Sequence, residues 1–345
     1  MAKKIVFILL LSFFSAGVIL ILSFFSLSGD KIEENFKRNS INREPKLLKS
    51  ITLPGKEFYI AGECSGQLIL GNEKKPSLIH VVDLGNSAKF THISKQIPLS
   101  NIVTGRLLID DDLYYLLDQA NKTIYSGNIS DFNITKIIKD SLALDLSIPI
   151  SKSSFINRVY RNHGRDYTLA KKTINDSREQ VSDTILEKKM DGVLTNDGML
   201  LFDKIGTRIV YLYFHRLQYI IADTNLNVLS RKSLVKTTGN DKVETALIKS
   251  ENTLTLATPV KTLNQSSAIY QNKLFINSNV IAANDRKGLH RKFNVIDVFN
   301  IDNPADNYSF YIPMVAGEKI KNFLITKDFF IAIMGSNLFL YKIAQ

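Results

Sequence analysis

The sequence predicts an all-β fold, a six-bladed β-propeller, preceded by one N-terminal transmembrane helix. Three observations predict it. Short runs of β-branched and aromatic residues are broken by Asn, Asp, Gly and Ser, a strand–turn–strand unit recurs along the chain, and a single apolar stretch opens it. The 345 residues include 44 Lys+Arg against 33 Asp+Glu, one Cys and no Trp. An apolar share of 45% excludes wholesale disorder. A lone cysteine makes no intrachain disulfide and excludes Cys-based zinc or iron–sulfur sites. With only one segment apolar enough to span a bilayer, a polytopic transporter is excluded too.

Residues 1–29 read as an N-terminal transmembrane anchor or signal. Lys3 and Lys4 precede an apolar run from Ile5 to about Ser26. As a helix that run would measure roughly 33 Å, close to a ~30 Å hydrocarbon core. The two lysines favour a cytoplasmic amino terminus, which places the rest outside the cytoplasmic membrane. The expected location is therefore the bacterial cytoplasmic membrane, single-pass, with a periplasmic C-terminal domain. Ser26 and Ser28 before Gly29 offer a cleavage site, and secretion after signal cleavage is the alternative. Residues 30–46 mix both charge signs with Asn and Ser. They read as a linker, helical in part around Lys31–Lys37.

Residues 47–345 carry the strands. Leu78–Leu84, Tyr114–Leu117, Thr123–Ile129, Arg208–Phe214, Gln218–Ala222, Val228–Leu234, Asn294–Phe299 and Tyr308–Ile312 each end at turn residues. The recurring unit is an apolar strand, a polar turn and a shorter strand rich in Lys, Arg, Thr or Ser. It begins at His80, Ile124, Tyr167, Tyr219 and Phe293. A period of roughly 40–50 residues with four strands per unit marks propeller blades, and the longer last interval leaves room for an insertion. At the carboxyl end Lys321–Thr326, Phe329–Met334 and Leu338–Ile343 supply three strands, one short of a blade. Leu47–Leu53 has the character of the missing outer strand and would close the ring without an open edge. Seven blades, or two β-sandwiches, are the structural rivals.

With these units, VLTNDGMLLFD at Val193 and the stretch from SSAIYQNKLFINS to FNVIDVF, the chain resembles six-bladed propellers of the NHL and TolB-like class. More narrowly it resembles membrane-anchored bacterial propeller proteins of uncharacterised function. The resemblance implies a fold and an extracytoplasmic address, with no reaction attached. The lack of Trp excludes a WD-dipeptide pattern.

No sharp catalytic motif appears. Gly62-Glu63-Cys64-Ser65-Gly66 matches a nucleophile elbow with Cys for Ser, but Gln67–Leu70 reads as a strand where an elbow needs a helix. None of His80, His92, His163, His215 and His290 has close ligand spacing, and His80 and His215 read as residues of apolar strands. Asp110-Asp111-Asp112, and the Asp302, Asn303, Asp306 and Asn307 loop, offer oxygen ligands but read as turns. No cofactor or metal is implied. Two basic clusters stand out as candidate ligand-binding residues: Arg158, Arg161, His163 and Arg165, and Arg286, Lys287, His290, Arg291 and Lys292. Guanidinium forks suit carboxylates and phosphates, so the expected partners are a protein or an anionic envelope ligand, besides the membrane itself. No nucleic-acid-binding signature is present. The expectation is a binding or scaffolding module. A propeller-fold enzyme acting on a polysaccharide or other envelope polymer in the central funnel is the alternative.

Overall fold

The computed structural model describes residues 15, 17–18, 32–40, 45–84, 92–99, 102–139, 144–161, 166–174, 176, 179–187, 196–235, 245–248, 253–256 and 262–343. After β1 (Ile32–Glu33) and β2 (Lys46–Thr52), the chain builds blade 1 from β3 (Phe58–Cys64), β4 (Gln67–Asn72), β5 (Leu78–Asp83) and β6 (His92–Gln96). Blade 2 is β7 (Gly105–Asp110), β8 (Leu113–Asp118), β9 (Thr123–Asn128) and β10 (Lys136–Lys139). Blade 3 is β11 (Leu144–Ser151), β12 (Ser154–Arg161), β13 (Asp166–Thr173) and β14 (Glu179–Ser182). Blade 4 is β15 (Gly198–Asp203), β16 (Arg208–Tyr213), β17 (Gln218–Asp223) and β18 (Val228–Ser233). A separate hairpin, β19 (Thr245–Ile248) and β20 (Thr253–Leu256), follows. Blade 5 is β21 (Asn264–Tyr270) and β22 (Lys273–Ser278), then, after the inserted β23 (Ile281–Ala282) and helix α1 (Leu289–Lys292), β24 (Phe293–Asn300) and β25 (Tyr308–Pro313). Blade 6 is β26 (Ile320–Ile325), β27 (Phe329–Met334) and β28 (Asn337–Lys342), with β2 as its outer strand. The fold is an all-β propeller of six four-stranded blades. Each of the five recurring units is the third and fourth strand of a blade.

The blades are apolar on both faces, and strand alternation explains how one sequence run serves two interfaces. In β27, Phe330, Ala332 and Met334 face blade 5, while Ile331 and Ile333 face blade 1. In β16, Ile209, Tyr211 and Tyr213 face blade 3, while Val210 and Leu212 face blade 5. In β8, Tyr114 and Leu116 pack on blade 1, Tyr115 and Leu117 toward blade 3. Second strands therefore read as near-continuous apolar runs, as in any sheet covered on both sides. The outer strands carry Lys and Arg on their open edges, as in KIIK of β10 and SRK of β18, which discourages edge-to-edge pairing. The first strands run side by side around the axis, β3 beside β7 and β26, β15 beside β11 and β21, and β21 beside β26.

Residues 32–40 differ from the linker, helical in part, that their composition suggests. Ile32 and Glu33 pair in parallel with Ile281 and Ala282, and Ser40 bridges Ser309. The amides of Ala283 and Ser309 donate to the carbonyls of Phe36 and Asn39. The cause is Arg38, only 5% exposed. Its Nε and Nη2 grip the two oxygens of Asp297 at 2.7 and 3.0 Å, Nη1 pairs with Asp285, and Nη2 also reaches the Val280 carbonyl at 2.7 Å. Asn284 completes the clasp, accepting from the Arg38 amide and donating to its carbonyl, each at 2.9 Å. Burial alone would raise the Asp285 carboxyl, but the His290 hydrogen bond and the Arg38 charge outweigh it and hold it below the ordinary carboxylate range. The anchor or signal expected over residues 1–29 falls outside the described residues, apart from Ser15, Gly17 and Val18, which are helical. Among the described residues no helix is long and apolar enough to cross a membrane. His215 lies in the bend after β16 and not in a strand, because the chain turns at Phe214 to reach β17.

Two outcomes follow from this packing. Phe330 is fully buried among Phe310, Phe323 and Tyr341, so Phe330→Ala should lower unfolding free energy by about 3–5 kcal/mol in denaturant titration. Arg38→Ala should release the arm, with the Ala283 and Ser309 amides losing hydrogen-exchange protection while β24 keeps its own. Acid should do the same. A lowered folded pKa means that Asp285 supports the clasp above the ordinary value of about 3.9, and that this support is lost as pH falls through the lower folded value. Protection at Ala283 that persisted in Arg38→Ala would contradict the assignment.

Candidate functional site

One end of the ring is built from the turns that join each first strand to its second. Cys64 pairs with Gln67 across Ser65 and Gly66, both with positive φ (51° and 78°). Tyr270 pairs with Lys273 across Gln271 and Asn272, at 48° and 60°. Two-residue loops with both centres left-handed match the twist of the flanking strands and close a hairpin tightly. This is why the Gly62–Gly66 motif forms a β-turn and not a nucleophile elbow. Gly62 is needed for another reason. A Cβ there would sit 2.7 Å from Cβ of Ile109, so β3 and β7 approach closely only because it is absent.

These turns surround an axial cavity of about 670 Å³. Its wall includes Glu63 from blade 1, Asp111 from blade 2, Lys204 from blade 4, Tyr270 from blade 5 and Lys327 and Asp328 from blade 6. Lys204 reaches across to the Asp110-Asp111-Asp112 turn, with Nζ 2.5 Å from Asp110 and 2.8 Å from Asp111. Burial alone would lower the Lys204 ammonium, but its bonds to Asp110 and Asp111 outweigh that and raise it. Lys152 of blade 3 lies 3.4 Å from Asp112. The aspartate run is thus a polar tie between blades 2, 3 and 4. Glu63 accepts from the Gly66 amide at 2.8 Å, and Asp203 is buried against Arg208 at 2.9 Å. Lys327 and Asp328 are exposed. Phe202 and Phe329 add aromatic surface to the same wall. Aromatic faces beside carboxylates and ammonium groups can hold a polyhydroxylated ligand by stacking and by hydrogen bonds to its hydroxyls. Among the described residues no three His, Cys, Asp or Glu side chains gather as a metal site. Cys64 is half-buried in its turn, its Sγ 3.5 Å from Ser65 Oγ.

The two basic clusters have different fates. Arg158 is buried in β12. Its Nη1 meets Asp197 at 2.6 Å, the Gly198 carbonyl at 3.1 Å and Tyr211 Oη at 3.2 Å, and its guanidinium stacks 4.0 Å from the Tyr167 ring. It joins blade 3 to blade 4 and is not part of an open docking face, because it is buried among those partners. Arg161 is exposed, 3.4 Å from Asp183. His163 and Arg165 lie outside the described residues. In the second cluster Arg286, Lys287, Arg291 and Lys292 are exposed on and before α1. His290 is half-buried, with Nε2 3.1 Å from Asp285. The cluster therefore borders the Arg38 clasp.

Sequence reading missed the clasp and, apart from the Gly62–Gly66 motif and Asp111, the cavity wall. Asp297 was the available signal, since a carboxylate inside the apolar strand FNVIDVF requires a counter-charge. Nothing local distinguishes Lys204 or Asp328 from other turn residues.

No known family profile matches the chain, and no curated protein matches it in sequence. Among solved structures, a member of the DUF4221 family from Bacteroides vulgatus is similar with a TM-score of 0.55 and 14% identity, over 89% of this chain and 98% of that one. A chain of the mitotic checkpoint complex is similar with a TM-score of 0.50 and 9% identity, over 92% of this chain and 98% of that one. At these identities the likeness shows the propeller fold alone.

Proposed function

We propose that this chain is a binding module, held at the outer face of a bacterial cytoplasmic membrane by its N-terminal apolar segment, that takes an envelope glycan into the axial cavity. The cavity carries the reading. It measures about 670 Å³, is reached by turns of five blades, and combines Tyr270, Phe202 and Phe329 with Glu63, Asp111 and Asp328. Rigid blades position these turn residues, which is how propellers turn irregular loops into a defined surface. The apolar run from Ile5 to about Ser26 supports the membrane location. A second reading has one observation behind it. Glu63, Asp111 and Asp328 bring three carboxylates to the same wall, and glycan cleavage generally uses a pair of them.

Calorimetric titration with a panel of soluble bacterial cell-wall glycan fragments tests the first reading. A saturable ligand should bind, and Tyr270→Ala and Asp328→Ala should each weaken it at least about tenfold. No binding across the panel, or binding indifferent to both changes, would contradict it. New reducing ends in the same mixtures, absent from Asp328→Ala, would favour the enzyme. Protease protection in intact and opened spheroplasts checks the membrane placement.

A further inference from the structure

We infer that the face formed by the docked arm and the α1 insertion rests on the bilayer and binds anionic lipid headgroups. The inference rests on the anchored reading above and adds an orientation to it. The apolar run ends near Ser26, and Ile32 is already paired with Ile281. Only Leu27 to Lys31 lie between, at most about 20 Å of extended chain. Blade 5 is therefore the part of the ring that the anchor must hold close to the membrane. The strand that receives the arm, β23, runs directly into Asn284 and Asp285, which grip Arg38, and then into Arg286, Lys287 and α1. The exposed cations thus follow within a few residues of the tether point.

Their charge is available to a partner. Asp285 and Asp297, buried beside them, are occupied by Arg38, with His290 on Asp285 as well. Among the described residues no carboxylate lies within ion-pair distance of Lys37, Arg286, Lys287, Arg291 or Lys292, and all five are exposed. The acidic groups on the same arm are Glu33, half-buried, and Glu34, exposed, so the face keeps a positive balance. A basic surface held beside a bilayer by a short tether is attracted to anionic headgroups, and one tether plus one electrostatic contact fixes orientation where a tether alone does not. The clasp matters because it removes the flexible joint that residues 32–40 would otherwise provide.

The full chain carrying Cys64→Ser and Lys287→Cys, labelled with a nitroxide, should be reconstituted in nanodiscs of phosphatidylcholine alone or with phosphatidylglycerol. With the anionic lipid, access of a water-soluble relaxation agent to the label should fall at least about fivefold, and a label at Lys136→Cys on blade 2 should not change. Adding Arg286→Glu, Arg291→Glu and Lys292→Glu should restore access. Equal access in both disc types, or equal protection in both, with the protein retained in the discs, would overturn the inference and leave the anchor intact. Failure of the protein to associate with either disc would overturn the anchor, and the inference with it.

Discussion

Each blade is a sheet that is apolar on both faces, and no blade can satisfy that condition alone. Phe330 and Ile331 are neighbours in sequence, yet they bury against different blades. A fully buried side chain of this kind contributes roughly 1.5–3 kcal/mol, so any exposed blade face would forfeit several such terms. Among the described residues six apolar clusters, one between every pair of adjacent blades, cover these faces. Among the described residues the joint between blades 2 and 3 sets Tyr115 edge-on to Phe155, whereas that between blades 5 and 6 holds a cluster of stacked and edge-on phenylalanines.

Polar groups inside this framework mark where it does something besides pack. Asp297 sits in the middle of an apolar strand and is neutralised by a residue 259 positions away in sequence, Arg38. Breaking such a buried pair leaves an uncompensated charge, so the arm is held more firmly than its short backbone pairing suggests. Arg158 ties blade 3 to blade 4 in a similar manner, with one guanidinium against a carboxylate, a carbonyl and an aromatic ring. At the axis the charged groups face a cavity and remain within reach of a ligand. The same side-chain chemistry thus serves as a strut where it is enclosed and as a candidate contact where the turns open.

The fold was legible because blade geometry repeats. Third and fourth strands recur as an apolar run, a turn such as Asp223-Thr224-Asn225 and a basic strand, and the turn is an Asx motif in which Asp223 accepts from the amides of Asn225 and Asn227. Such signals are local. The site was less legible because it is assembled across blades. Lys204 and Asp111 meet only after the ring forms, and nothing in either turn announces the other. The arm was misread for the same reason, since the partners of Arg38 lie in blade 5 and the intervening polar residues look like a linker. The basic residues around α1 were visible as a cluster. Their neighbourhood with the arm was not.

The central claim is that the ring is closed by β2 on β28, in the register that sets Ser50 opposite Phe339 and Thr52 opposite Asn337. Native-state hydrogen exchange over residues 46–52 and 337–342 tests it most directly. In a closed ring the paired amides of both segments exchange together, as slowly as those of β27. Rapid exchange of 46–52 beside a protected 337–342 would mean that the last blade ends in an open edge, and the closed six-bladed ring would be contradicted.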